Sequence, residues 1–144
     1  MIVSKFQGLT YRWQRDTGTG FVDLVDNGNY SGSSNDTLNI IGASSGWYGY
    51  KFRCKVTTNT GIVYSPRFKL KLQTVWKGTI DRNWENPGNW NCGVVPDANT
   101  DVVIEGQLIN YPEVNTALTI RSLLLRSGAS ITVKPGVSIH LIGR

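Results

Sequence analysis

The last part of the chain repeats at eight residues, and few folds accept so short a period. Aligned in octads, SLLLRSGA at 122–129, SITVKPGV at 130–137 and SIHLIGR at 138–144 place Ser122, Ser130 and Ser138 in one column. Leu123, Ile131 and Ile139 fall in a second column and Leu125, Val133 and Leu141 in a third, while Gly128 coincides with Gly136. Apolar residues two apart, followed by a glycine-bearing corner, describe a short strand that presents one face inward and then turns. Such a unit cannot bury its apolar face alone. Each strand is therefore expected to turn a corner and stack on the coil beneath it, as in a parallel β-helix or related solenoid. An antiparallel meander with SG and KPG turns explains the same spacing; the solenoid is preferred because a constant period keeps the same side chain inward at each stacked position.

The rest of the sequence also favours strands. Sixteen Gly and five Pro in 144 residues, without a long amphipathic helical period, describe short strands joined by tight turns. Between residues 9 and 72, LTYRWQ, FVDLV, DTLNII, YKFRCKVTT and VYSPRFKLKL read as five strands, broken by GTG, DNGN, ASSG and TNTG. The expected class is all-β, with an antiparallel sandwich over 1–73 and a repeat module over 74–144. RFKLKLQTVW runs into Trp76 without a Pro- or Gly-rich break, so little or no linker is expected between them.

WKGTIDRNWENPGNW, residues 76–90, holds three tryptophans in a stretch with neither a helical nor an alternating pattern. The rings either line a groove or close the end of something hollow. The end of a stacked repeat exposes apolar side chains and unpaired strand edges, and each indole can cover roughly 150–250 Å² of such surface. Trp76, Trp84 and Trp90 are accordingly expected to form a structural cap.

Residues with catalytic potential are few. The single histidine, His140, falls at an outward position of its octad, and no phosphate-binding glycine loop or pair of metal-spaced histidines occurs. Asp97, Asn99 and Asp101 of PDANTD carry oxygens at alternate positions that Ca²⁺ could use. The stretch lacks the glycine and distal glutamate of an EF-hand loop, and Asx residues are ordinary turn material. No catalytic residue, metal or cofactor is assigned, and the chain is not read as an enzyme. Cys54 and Cys92 have neither CxxC nor metal-ligand spacing, which leaves one long-range disulfide open. No apolar run approaches a membrane span, and MIVSKF is too short and polar for a signal peptide, so an export signal would lie on sequence beyond this chain. The net charge of +5 could draw an acidic partner, but the basic residues alternate with apolar ones as on a solvated strand face. Nucleic acid is not an expected partner.

YRWQ, TLNI and GYKFRCKVTTNTG together resemble the bacterial immunoglobulin-like repeats of cell-surface proteins, over about half of the chain. The resemblance implies a core tryptophan, Trp13, on the third strand, and an aromatic-x-Cys, Phe52 and Cys54, on the facing strand. It departs from the family in two respects. Phe52 replaces the tyrosine of the usual corner, with Tyr48 or Tyr50 as substitutes, and Cys54 has no inter-sheet partner, which makes it a small buried hydrophobe. Only twelve residues precede Trp13 where two strands are needed, so the first strand is expected to be missing.

Trp76, Gly78, Trp84, Asn89, Trp90, Gly93, Val94, Pro96, Asp101, Val102 and Ile104 resemble the segment that leads into right-handed β-helices of bacterial surface adhesins. An immunoglobulin-like repeat followed by this segment looks like the large multidomain proteins exported by the type IX route in gliding bacteria. The resemblance implies a non-catalytic structural or adhesive module of a secreted or surface-anchored bacterial protein, extracellular, whose partners are flanking domains or subunits. The chain stops at Gly143 and Arg144 directly after a repeat unit, which reads as a piece of a longer array. Asn35, Asp36 and Thr37 spell an N-x-T acceptor, and Asp36-Thr37-Leu38 resembles the O-glycosylation site of the same bacteria, making Thr37 a glycosylation candidate. The alternative is a carbohydrate-binding or accessory module of an extracellular polysaccharide-degrading enzyme, with Trp47, Tyr48 and Tyr50 of the turn-like WYGY stretch as the stacking surface.

Overall fold

A computed structural model of the chain describes residues 8–143, and every regular element among them is a strand apart from two short 3₁₀ turns. The protein is all-β. It divides into two compact units at Leu70 and Lys71, slightly before the expected boundary at 73. Backbone pairing explains the difference: Leu70 exchanges bonds with Gly49 and Tyr50, whereas the Leu72 carbonyl accepts from Asp101.

In the first unit, β1 (Thr10–Asp16), β2 (Phe21–Asp23), β5 (Lys51–Thr58) and β6 (Gly61–Tyr64) form an antiparallel sheet in the order β2-β1-β5-β6, and β7 (Phe68–Lys69) also pairs with β5. β3 (Tyr30–Ser31) and β4 (Asn39–Ile40) pair separately. Alternation along β1 and β5 sends Tyr11, Trp13, Phe52 and Cys54 into a core shared with Leu24, Tyr30 and Leu38. Trp13 is fully buried, and its indole nitrogen donates to the Asn35 carbonyl at 2.9 Å, so the ring's one polar group is satisfied. Trp13 and Cys54 are neighbours on paired strands of one sheet, not residues facing each other across the core.

Two strand expectations need correction. The single strand expected over 63–72 is split, because Pro66 offers no backbone donor and Ser65 donates instead to the Cys54 carbonyl at 2.8 Å. β3 was not expected, since its two residues are too few to show a period. The expectation of a missing first strand falls on residues before Gly8, outside the described ones.

The second unit holds β8 (Gln73–Trp76), β9 (Asp101–Ile104), β10 (Glu113–Val114), β11 (Leu118–Ile120), β12 (Ser122–Leu125), β13 (Thr132–Val133) and β14 (Ile139–Leu141). All of their pairings are parallel: β8 with β9 and β9 with β12 in one sheet, β10 with β13, and β11 with β14. The antiparallel meander is therefore not what these strands form. The chain passes through three sheets as β9, β10, β11 and then through the same three as β12, β13, β14.

This order sets consecutive octads side by side within one pass, each beside a strand of the pass before. The three octads supply β12, β13 and β14, which lie in three different sheets, so no octad rests on the one before it. The stacking interval is 21 residues on two of the three sheets, where Ser122 lies beside Asp101 and Ile139 beside Leu118, and 19 on the third, where Thr132 lies beside Glu113. Eight residues cover one strand and one corner. Returning over the starting point takes three sides, and at 21 residues these average seven rather than eight.

The inward residues Val102, Ile104, Val114 and Ile120 are buried, and Leu123, Ile131 and Ile139 pack against them half-buried. Leu125, Val133 and Leu141, in the third column of the octads, are 42, 39 and 51% exposed. The corners are held by close backbone approach. A side chain at Gly106 would meet the Ser127 carbonyl oxygen at 2.2 Å, so the lower corner can pass beneath the upper one only as glycine.

Candidate functional site

The tryptophan-rich segment is the most densely organised part of the chain. Trp76, Trp84 and Trp90 are 0, 1 and 3% exposed and share one cluster with Val102, Ile104, Val114 and Ile120. Trp76 and Trp84 stack at 6.4 Å, and Trp90 meets both edge-on, at 5.0 and 4.7 Å. Two of the three indole donors are spent within the fold: Trp76 Nε1 donates to the Asn110 carbonyl at 2.8 Å and Trp90 Nε1 to the Trp84 carbonyl at 3.0 Å. At 0, 1 and 3% exposed, the rings have no face open to a ligand.

Why a Trp-x-Gly begins this segment is visible at Gly78. Its φ is +56°, and a Cβ there would lie 2.1 Å from the Asn110 carbonyl that accepts from Trp76. The Asn110 side chain in turn donates to the Gly78 carbonyl at 2.9 Å. The segment then folds back along β8: Lys77 N donates to the Asn89 carbonyl at 2.7 Å, and Asn91 N to the Val75 carbonyl at 3.0 Å. The edge of β8 away from β9 is thereby paired with residues 89–91.

Asn89, named in the sequence only as part of the β-helix-entry resemblance and given no role there, is fully buried. Its Oδ1 accepts from the backbone nitrogens of Ile80 and Asp81, at 3.0 and 3.1 Å. Its Nδ2 donates to Asp81 Oδ1 at 2.7 Å and to the Asn83 carbonyl at 3.1 Å. The Asn86 and Asn89 side chains, with the backbone of Asn83, hold the Asp81 carboxyl below its ordinary value of 3.8. The dense Asp and Asn content of IDRNWENPGN was the available signal, but it does not identify which amide goes inside.

The other singled-out residues lie apart from this cluster. Trp47, Tyr48 and Tyr50 sit around a 3₁₀ turn of the first unit, each half-buried. Trp47 stacks on Tyr30 at 5.4 Å and on Tyr50 at 5.8 Å, and the Arg15 guanidinium lies 5.5 Å from the Tyr50 ring and donates to the Tyr30 hydroxyl at 3.0 Å. Trp47 and Tyr50 pack against the core, while the Tyr48 ring lies 5.8 Å from Lys69 Nζ. Thr37 is half-buried, its hydroxyl 3.3 Å from Asp36 Oδ1, and with Asn35 and Asn39 it lines a surface concavity of about 570 Å³.

In PDANTD, the Asp97 carboxylate accepts from Asn99 N and from the Thr100 hydroxyl, both at 2.9 Å, closing a turn. Asp101 is used elsewhere, accepting from Ser122 Oγ at 2.5 Å and pairing with Arg121 Nε at 3.1 Å. Among the described residues, no group of three or more His, Cys, Asp or Glu gathers as a metal site. His140 is exposed on β14 beside Thr119. Both cysteines are free thiols, and burial pushes the Cys54 thiol upward while Cys92 is exposed. No helix of the described residues is long and apolar enough to cross a membrane.

Residues 75–143 match a family described as a Domain of unknown function (DUF8693). The match covers just under half of the chain, from within β8 to the end of the described residues, and so takes in the tryptophan cluster and both passes through the three sheets. No curated protein and no solved structure matches the chain.

Proposed function

We propose that this chain is a non-catalytic structural and adhesive module of a large secreted or surface-anchored bacterial protein. In this reading the first unit is an immunoglobulin-like sandwich, and the second is the beginning of a β-solenoid closed at one end by its tryptophans. The observation that carries the reading is the use made of Trp76, Trp84 and Trp90. All three are buried against the inward residues of the parallel strands, with the two indole donors described above bonded to backbone carbonyls. The edge of β8 paired with residues 89–91 supports the same view, since a closed end is what a stack of strands requires to stop pairing. Export by the type IX route, an extracellular setting and modification of Thr37 rest on the sequence resemblances alone.

The test compares Trp84→Ala and Trp90→Ala with the parent for thermal and denaturant stability, and for binding to a panel of plant and algal polysaccharides. Each variant is expected to lose about 3–5 kcal/mol of stability, as for a fully buried ring, with no selective loss of binding. Variants that melt like the parent but lose glycan binding would favour the accessory module of a polysaccharide-degrading enzyme instead.

A further inference from the structure

The geometry points to the outward face of the first unit's sheet as a docking surface for an acidic polysaccharide. This deepens the adhesive part of the reading above. Strand alternation turns Lys51, Arg53 and Lys55 of β5 away from the core that Phe52 and Cys54 enter, so β5 carries a cation at every second residue, about 7 Å apart. The register sets Arg12 of β1 beside Lys55 and Lys69 of β7 beside Lys51. Among the described residues, the only ion pair on this face joins Lys51 to Asp16, at 3.6 Å.

Like charges directly opposite each other on paired strands cost stability, and with the Arg12 guanidinium donating to the Leu24 carbonyl at 3.2 Å and attracted by Asp26, it is Lys55 beside it that invites an external anion. Arg53 is the most constrained of the group. Its guanidinium lies 4.0 Å from the ring centres of both Phe21 and Tyr64, and its Nε donates to Gln14 Oε1 at 2.8 Å. Gln14 Nε2 donates in turn to Asp23 Oδ1 at 2.6 Å. A guanidinium fixed by two rings and one hydrogen bond is preorganised for the planar or trigonal anions of uronates and sulfate esters.

A nucleic-acid strand fits the same face less well. Single-stranded binding needs ring faces free to stack on bases, and both rings here already spend a face on Arg53. Asp16 and Asp23 also break the positive field, which suits spaced sugar anions better than a continuous phosphodiester.

The experiment titrates the 144-residue chain with polygalacturonate, heparin, neutral dextran and a single-stranded oligonucleotide, at low and high salt. The acidic glycans are expected to bind, the dextran not to, and the affinity to fall as salt rises. Lys55→Glu is expected to weaken binding about tenfold while leaving the melting temperature level or higher, because the new carboxylate would sit beside Arg12. Lys55→Gln, which only removes a charge, should weaken binding in the same direction. No binding of either acidic glycan at low salt, affinity indifferent to both variants, or tighter binding of the oligonucleotide would overturn the proposal. Those outcomes leave the melting of the tryptophan variants untouched, so the two proposals fail separately.

Discussion

A single buried amide organises the turn between Trp84 and Trp90. Asn89→Ala leaves the Ile80 and Asp81 nitrogens without their acceptor, and about 2–4 kcal/mol of stability is expected to go with it in a denaturant titration. The same network predicts a pH dependence. Because the Asp81 carboxyl is held below its ordinary value by bonds made only in the folded state, its contribution is present above pH 3.8 and is lost as pH falls through the lowered folded value. Asp16 and Asp26 in the first unit are lowered by backbone and serine donors and act in the same direction. Melting temperature should thus hold from neutral to about pH 4 and drop below it, with a smaller drop in Asp81→Asn. At the corner after β9, Gln107 has φ of +60° where its counterpart in the next pass, Gly128, has +78°. Gln107→Gly is expected to leave stability unchanged or raise it by about 1 kcal/mol, measured by the denaturation midpoint. None of these roles was legible beforehand. Asn89 was one of several Asn and Asp residues in its segment, and Gln107 carries no turn signature.

At the scale of elements, what the sequence disclosed depended on whether the physics was local. β1, β2 and β5 were readable because alternation and turn residues are local, and so was the inward column Leu123, Ile131 and Ile139, whereas Leu125, Val133 and Leu141, expected inward with it, are exposed. Which strand each octad lies beside was not, because pairing partners 19 or 21 residues apart leave no mark within an octad. The burial of the three tryptophans was expected from the need to close a stack. Their mutual geometry depends on Gly78 and Asn110, whose side chain and carbonyl meet across the fold. Gly78→Ala should therefore resemble the loss of a tryptophan, with a lower melting temperature and a red-shifted indole emission as the rings gain access to water. An unchanged emission maximum in a destabilised variant would show that Gly78 does not position the cluster.

Across the whole chain, the account rests on residues 71–143 forming successive parallel passes over three sheets, because the structural role of the tryptophans presupposes a stack to close. Two pairings compete for His140. The parallel register places Thr119 of β11 beside it, whereas stacking of octads would place Thr132 there, and all three side chains are exposed. Paired cysteines at 119 and 140, or at 132 and 140, can be introduced with Cys92→Ser to remove the exposed native thiol. Neighbouring strands lie about 4.8 Å apart, inside the reach of a disulfide between side chains on one face. Under mild oxidation, Thr119→Cys with His140→Cys is predicted to cross-link rapidly without loss of stability, and Thr132→Cys with His140→Cys is not. Ready cross-linking of the second pair and failure of the first would contradict the 21-residue stack and the closed end built on it.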